Sequence, residues 1–296
     1  MLSLLKKRQI REMISGYLFI MPNFLGFMMF TSIPVVASLF LAFMKWDLLT
    51  PPSFVGFDNF VRLFQDPLFW KYTKNTFYLM LGIPFEMAGA LFIALFMNQK
   101  IQGIKFFRTV FFLPTICSGV AISILWLWMY NPNFGLFNFI LDKVGIAGPN
   151  WLTEEGWAKP SLMLMAFWTA IGGQNMILYL AGLQAIPLEL YEAAEIDGAT
   201  TWQRFRHITL PMLAPTTFFI LIMGVIGGFQ GGFASAYVMT GGGPNGSTTT
   251  ISYYIYNNAY QWFNMGYAAA IAWVLFILVF VVTVFNWKYS GKSVNY

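Results

Sequence analysis

Six apolar runs recur along the chain, separated by short polar stretches. They cover roughly Ile14–Met44, Thr76–Met97, Phe106–Tyr130, Pro160–Leu183, Leu213–Phe229 and Gly266–Trp287. A helix needs about 20 apolar residues to cross the hydrocarbon core of a bilayer. Each run is therefore expected to form a membrane span, and the fold class is an all-α membrane protein with six transmembrane helices. The fifth run is the shortest and can extend through the glycine-rich stretch Gly227-Gly228-Phe229-Gln230-Gly231-Gly232. The first is long, and Pro22 and Pro34 predict a kink or break in it. It follows the basic residues Lys6, Lys7, Arg8 and Arg11. Its apolar length exceeds that of a signal peptide, so a retained span is expected.

Composition supports the membrane reading. Of 296 residues, 58% are hydrophobic and 10% charged, against about 25% charged in a soluble domain. So few charges cannot cover a water-exposed surface. The net charge of +5 would suggest nucleic acid in a soluble protein. Here the basic residues sit in short loops beside apolar runs, where they set topology. With the N-terminus inside, the inner segments hold Lys6, Lys7, Arg8, Arg11, Lys100, Lys105, Arg108, Arg204, Arg206, Lys288 and Lys292. The outer segments hold Lys45, Arg62, Lys71, Lys74, Lys143 and Lys159, and the segment around 230–265 has no charge. Both termini are thus expected in the cytoplasm. In the first outer segment, Leu63-Phe64 and Leu68-Phe69-Trp70 suggest one interfacial helix lying on the membrane surface. No internal repeat is visible, and residues 1–296 read as a single domain.

The polar segment 184–214 is the most informative. Ile186-Pro187-Leu188-Glu189 opens a short helix, with Pro187 in its first turn and acids following. Gly198 ends it, since glycine accepts the left-handed conformation. A second helical piece, Thr201–Ile208, carries Arg204, Arg206 and His207, and Pro211 and Pro215 mark the return to the membrane. An amphipathic helix projecting between two spans suits docking into a groove on a partner.

Glu192-Ala193-Ala194, three residues, Gly198, nine residues, then Ile208-Thr209-Leu210-Pro211 resembles the EAA loop of permease subunits in binding-protein-dependent ABC importers at every defining position. The resemblance extends over most of the chain. Arg108–Pro114 is similar to the start of a span in sugar-type permeases. Thr240-Gly241-Gly242-Gly243-Pro244 with Ser247-Thr248-Thr249 and Tyr253–Tyr256 resembles the last outer loop of the carbohydrate branch. Trp46-Asp47 and Val55–Phe60 resemble the first outer loop of maltose-system-like subunits. The resemblance implies a type I importer permease bundle, with a second permease subunit as heterodimeric partner. It also implies a dimeric ATP-binding cassette ATPase and an extracytoplasmic solute-binding protein. A sugar or related polar solute is the implied cargo. Glu192, Ala193, Ala194, Asp197, Gly198, Ile208, Leu210 and Pro211 are then expected at the ATPase contact or bracing it.

Other chemistry is sparse. Cys117 and His207 are the sole residues of their kinds, so no disulfide, zinc set or clustered catalytic imidazole is expected. No cofactor is expected either. Gly241–Gly246 lacks the Gly-Lys-Ser/Thr ending of a nucleotide loop and reads as a turn or flexible gate. Glu86 is the one acid clearly inside a span, where a charge is costly. It accepts hydroxyls of a solute, contacts another helix, or reaches water near a span end. Gln174 and Asn175, after Gly172-Gly173, line a pathway or bond between helices, and Gln230 has the same two readings. Trp126, Trp128, Trp168 and Trp273 stack on sugar rings or anchor span ends. A stand-alone secondary transporter would instead predict inverted repeats, discontinuous helices and intramembrane ion ligands.

Overall fold

The computed structural model describes residues 2–99 and 101–290, with side chains from Ile10 to Lys288. Lys100, Lys292 and the side chains of Lys6, Lys7 and Arg8, counted above among the inner cations, lie outside the described residues. Among the described residues, five helices are long and apolar enough to cross a membrane: Ile10–Leu41, Pro67–Met97, Glu155–Gln184, Ala214–Thr240 and Met265–Lys288. A sixth span exists if Ile104–Ile116 and Gly119–Met129, bent by 99° at their junction, count as one. The chain forms two compact units. One is the chain up to Gln65 with Asn258–Trp273, and the other is Asp66–Asn257 with the chain from Val274.

In the first unit, helix Leu2–Phe27 passes through Pro22 unbroken. Pro34 is absorbed by a wide π-helical turn over Met28–Ser32, where Ile33 N–H reaches back to the Met28 carbonyl. The wider turn makes room for a ring that lacks a donor. Met44–Lys45 and Ser53–Phe54 form a short antiparallel pair, the only strands among the described residues. Between them the Asp47 carboxylate accepts from Thr50 N–H (2.8 Å), Thr50 hydroxyl (2.8 Å) and Leu49 N–H (3.1 Å). These donors, Thr50 N–H foremost, hold its pKa below the ordinary carboxylate value. The buried Asn59 amide donates to the Ala42 and Met44 carbonyls, each at 2.9 Å. Gly266 packs there so closely that a Cβ would overlap the Met44 carbonyl oxygen.

The second unit starts with a correction. Leu68-Phe69-Trp70 do not share an interfacial helix with Leu63-Phe64. Helix Asp58–Gln65 ends, and Asp66 caps a new helix by accepting from Leu68 N–H at 2.8 Å, with Pro67 in its first turn. An acid followed by proline is a helix start. Leu63 and Phe69 are buried, while Phe64, Leu68 and Trp70 are exposed.

Ile83, Met87, Ala90, Ala94 and Met97 form a helical stripe. It packs in one core with Met176, Tyr179, Leu180 and Leu183 of the fourth span and Ile220 of the fifth. Lipid tails are as apolar as these side chains, so close packing rather than escape from water holds the helices. Small residues permit it: a Cβ at Gly182 would come 2.8 Å from Leu213, and one at Gly228 would come 2.7 Å from Met80.

The predicted continuous helix over 106–130 is instead broken. Cys117 and Ser118 are extended. Pro114 removes a donor in the last turn before them. Ser118 then caps the next helix, accepting from Ala121 N–H at 3.2 Å. At the far end of this second half, Trp126 packs ring to ring with Tyr130 and Phe137, and Tyr130 with Trp151. Tyr130 hydroxyl donates to the Ser161 carbonyl at 2.8 Å, and Trp151 Nε1 to Asn138 at 2.7 Å. Trp126 is 4% exposed and is a structural ring.

Residues 240–250 are not a loose gate. Thr248, Thr249 and Thr250 are buried. Asn75 donates to the Gly246 and Thr249 carbonyls at 2.8 and 3.0 Å, and Thr248 hydroxyl to Gly243 at 2.9 Å. The glycines serve positive φ angles at 241, 242 and 246.

Candidate functional site

Two places gather the candidate residues. The first is segment 184–214. Helix Leu188–Ile196 starts one residue later than expected, with Pro187 at the cap position rather than inside the first turn. It ends in a Schellman turn. Gly198 has φ +76°, its N–H bonds Glu195 O at 3.0 Å, and Ala199 N–H bonds Ala194 O at 2.8 Å. Those bonds satisfy carbonyls the helix end would leave bare. Thr200 and Gln203 then form a reciprocal capping box at 2.7 and 3.3 Å. The second piece runs as helix Thr201–Arg204, a π-helical turn Phe205–Thr209, and Leu210–Met212.

The two pieces are tied together. Tyr191 hydroxyl meets Thr209 hydroxyl at 2.8 Å, and Arg204 pairs with Glu195 at 3.0 Å. Between them a groove of about 350 Å³ is lined by Ala194, Asp197, Gly198, Arg204, His207 and Ile208. Glu192, Ala193, Asp197 and Gly198 are exposed, while Ala194 and Ile208 are half-buried. Leu210 and Pro211 are exposed too; Thr209 and Leu213 are the buried residues at this turn. Ile196, Leu188 and Trp202 are 87%, 68% and 66% exposed. The tie partners and Trp202 are not among the sequence candidates. The pattern Thr200-x-x-Gln203 was a readable signal for the second piece. The Tyr191–Thr209 pair had none.

Tyr191→Phe is expected to cost about 1 kcal/mol, because it leaves the Thr209 hydroxyl, buried at 4% exposure, without that partner. The check is a double-mutant cycle on melting temperature. Tyr191→Phe with Thr209→Val should cost little more than either alone. Strict additivity would mean the hydroxyls do not interact.

The second place is a cavity of about 430 Å³ lined by Glu86, Thr115, Ser123, Thr169, Gln174, Asn175 and Ser235 among others. A neighbouring cavity of about 300 Å³ shares Glu86, Ala166, Gly232 and Ser235 with it. The fold thus brings Glu86, Gln174 and Asn175 to one space. Gln230 is exposed and lines neither cavity. Gly172 and Gly173 explain the convergence. They interrupt the fourth span between helices Glu155–Ile171 and Gln174–Gln184. A Cβ at Gly172 would overlap the Phe111 carbonyl oxygen and lie 2.8 Å from its carbon, and one at Gly173 would lie 2.6 Å from Thr115 Oγ1. Their bare backbone lets the broken third helix press against the fourth span. Among the described residues no hydrogen bond or ion pair holds Glu86, and no cluster of His, Cys, Asp and Glu is arranged for a metal.

The family described as binding-protein-dependent transport system inner membrane component matches residues 18–288. The chain belongs to that family. It is accordingly a transport subunit of the inner membrane that crosses the bilayer several times. Among the proteins similar to this chain is a probable ABC transporter permease protein, YesP, of Bacillus subtilis. It is 41% identical over 98% of this chain and 95% of its own length. The lactose transport system permease protein LacF of Rhizobium radiobacter is 37% identical over 91% of this chain and 92% of its own. In the fold, the chain is similar to a solved bacterial alginate ABC transporter in complex with an alginate pentasaccharide-bound periplasmic protein. The TM-score is 0.85 at 28% identity, over 96% of each chain. Family membership also bears on the broken third helix. Discontinuous helices, counted above as a mark of secondary transporters, occur here in a binding-protein-dependent permease.

Proposed function

We propose that this chain is one permease subunit of an ATP-driven importer of sugars or related polar solutes, acting as a single domain in a heterodimeric pair. An extracytoplasmic binding protein delivers the solute, and a separate ATPase dimer hydrolyses ATP. One observation carries the coupling role: helix Leu188–Ile196 stands exposed, ended by the Gly198 turn and tied back at Tyr191 and Glu195. A bare connection between two spans needs none of this. Such a rigid, partly apolar helix is the shape that docks into a partner's groove. A relative named as a lactose transport system permease supports a sugar as cargo.

In this reading both termini and segment 184–214 face the cytoplasm, in line with the cation excess there. ATP-driven closure of the ATPase dimer moves the helix carrying Glu192, Ala193 and Ala194. The ties through Thr209 and Arg204 pass that motion to the fifth span, which starts at Ala214. The bundle then opens outward, the solute enters beside Glu86, Gln174 and Asn175, and hydrolysis resets the inward state. Thr209 and Leu213, buried where Leu210 and Pro211 are exposed, brace the return into the membrane. Gln230 is left out of the path.

The test is gentle purification of the tagged chain from its host, with co-purifying proteins identified by mass, and uptake measured with and without ATP. An ATPase and a second multi-span subunit are expected, and uptake should stop on ATP depletion. Recovery of the chain alone, with uptake that survives ATP depletion but fails with ionophores, would overturn the proposal in favour of an ion-coupled carrier.

A further inference from the structure

The charges around the Glu86 cavity narrow the solute further, given the path assignment above on which this inference rests. The walls offer hydroxyls and amides, one carboxylate, and no lysine, arginine or histidine. The adjoining cavity adds Thr76 and Thr250 and again no cation. A carboxylate at membrane depth ordinarily pairs with a cation or a hydrogen-bond donor. Glu86 has neither among the described residues.

Two helix starts line the same cavity instead. Gly119 opens helix Gly119–Met129 and lines the cavity; Gln174 opens helix Gln174–Gln184, with no side-chain cap from Gly173, and lines it too. Each helix start carries roughly half a positive charge in its free N–H groups. Together they are of the size needed to offset one carboxylate.

We propose that Glu86 is the resident anion of this cavity and sets its charge selectivity. Uncharged polyhydroxy solutes are accepted; uronates and phosphate esters are rejected. An uncharged sugar donates hydroxyls to Glu86 and accepts from the Gln174 and Asn175 amides. An anionic solute adds a second negative charge where no cation waits, and sheds its water to do so. Like charges meeting in a partly wet cavity cost roughly tenfold or more in binding. Glu86→Gln keeps the shape but removes the charge, so the helix starts are free to favour an anion.

The experiment uses the whole transporter in lipid vesicles. Cys117→Ser removes the native thiol, and Ala166→Cys reports from the wall common to both cavities. Labelling by a small uncharged thiol reagent is timed in the presence of uncharged mono- to trisaccharides, their uronates and their phosphates. At least one uncharged sugar should slow labelling, with the matching anion needing roughly tenfold more. Glu86→Gln should close or reverse that gap, and Glu86→Asp should keep it. If anions protect as well as uncharged sugars with Glu86 intact, the charge assignment fails while the path stands. An unchanged gap in Glu86→Gln moves selectivity away from Glu86 and overturns its role. If no compound protects, the path reading itself falls, and the proposal with it.

Discussion

Tryptophan at Gly198 is expected to abolish solute-stimulated ATP hydrolysis while the chain still reaches the membrane. A Cβ at this position meets nothing within 4 Å, so the chain itself has room. Two other costs arise. The φ of +76° strains any L side chain, by about 1–2 kcal/mol. Relieving that strain re-aims helix Leu188–Ile196 against the following piece. The indole also projects from the exposed face on which the proposed ATPase contact depends. A misfit inside a packed interface costs about 2 kcal/mol or more, roughly thirtyfold in docking. Gly198→Ala carries the strain without the bulk and should lose only part of the coupling. Gly198→Asn, which tolerates the left-handed region, should lose least. The readout is the amount of ATPase retained on the purified complex and its stimulation by loaded binding protein. Normal retention and stimulation in Gly198→Trp would remove this turn from the coupling contact.

Gly172→Val should damage the fold severely. The added carbon would overlap the Phe111 carbonyl oxygen and crowd its carbon at 2.8 Å. Those are backbone atoms of another helix and cannot swing aside. Overpacking a core costs about 1–3 kcal/mol when side chains can yield. Here the helices themselves must part, so the upper end is the minimum expected. Gly173→Ala is milder, because its nearest obstacle is the Thr115 hydroxyl, which can rotate, and the nearest backbone atom, the Thr169 carbonyl oxygen, stands at 3.0 Å. Gly26→Ala, with nothing within 4 Å, is the control and should be neutral or slightly stabilising, since alanine favours helix by about 1 kcal/mol over glycine. Melting of the purified chain in detergent decides it. Equal melting temperatures for Gly172→Val and Gly26→Ala would refute the close approach.

Some of this was legible in the residues. Apolar run length locates the spans, because crossing a bilayer is a one-dimensional demand. Gly198 announces its helix end because glycine suits the left-handed turn best. The break at Cys117-Ser118 was harder to see. The run over 106–130 is apolar throughout, so periodicity is silent, and Pro114 and Ser118 signal only together. Asp66-Pro67 was a readable cap, but the apolar residues on either side suggested one surface helix. The glycine run at 241–246 reads as loose because what pins it, the Asn75 amide, lies more than 160 residues away. The grouping of Glu86 with Gln174 and Asn175 is likewise tertiary. Spacing along the chain says nothing of which helices the Gly172 backbone brings together.

The bend between Ile116 and Gly119 has a practical side. It leaves Cys117, the one thiol in the sequence, exposed beside the joint. A spin label or fluorophore attached to the natural protein would therefore land at a single known point. In the transporter proposed above, its mobility and its distance to a second probe on the proposed ATPase partner would follow the joint through each turnover, with no cysteine to remove and none to add to this chain.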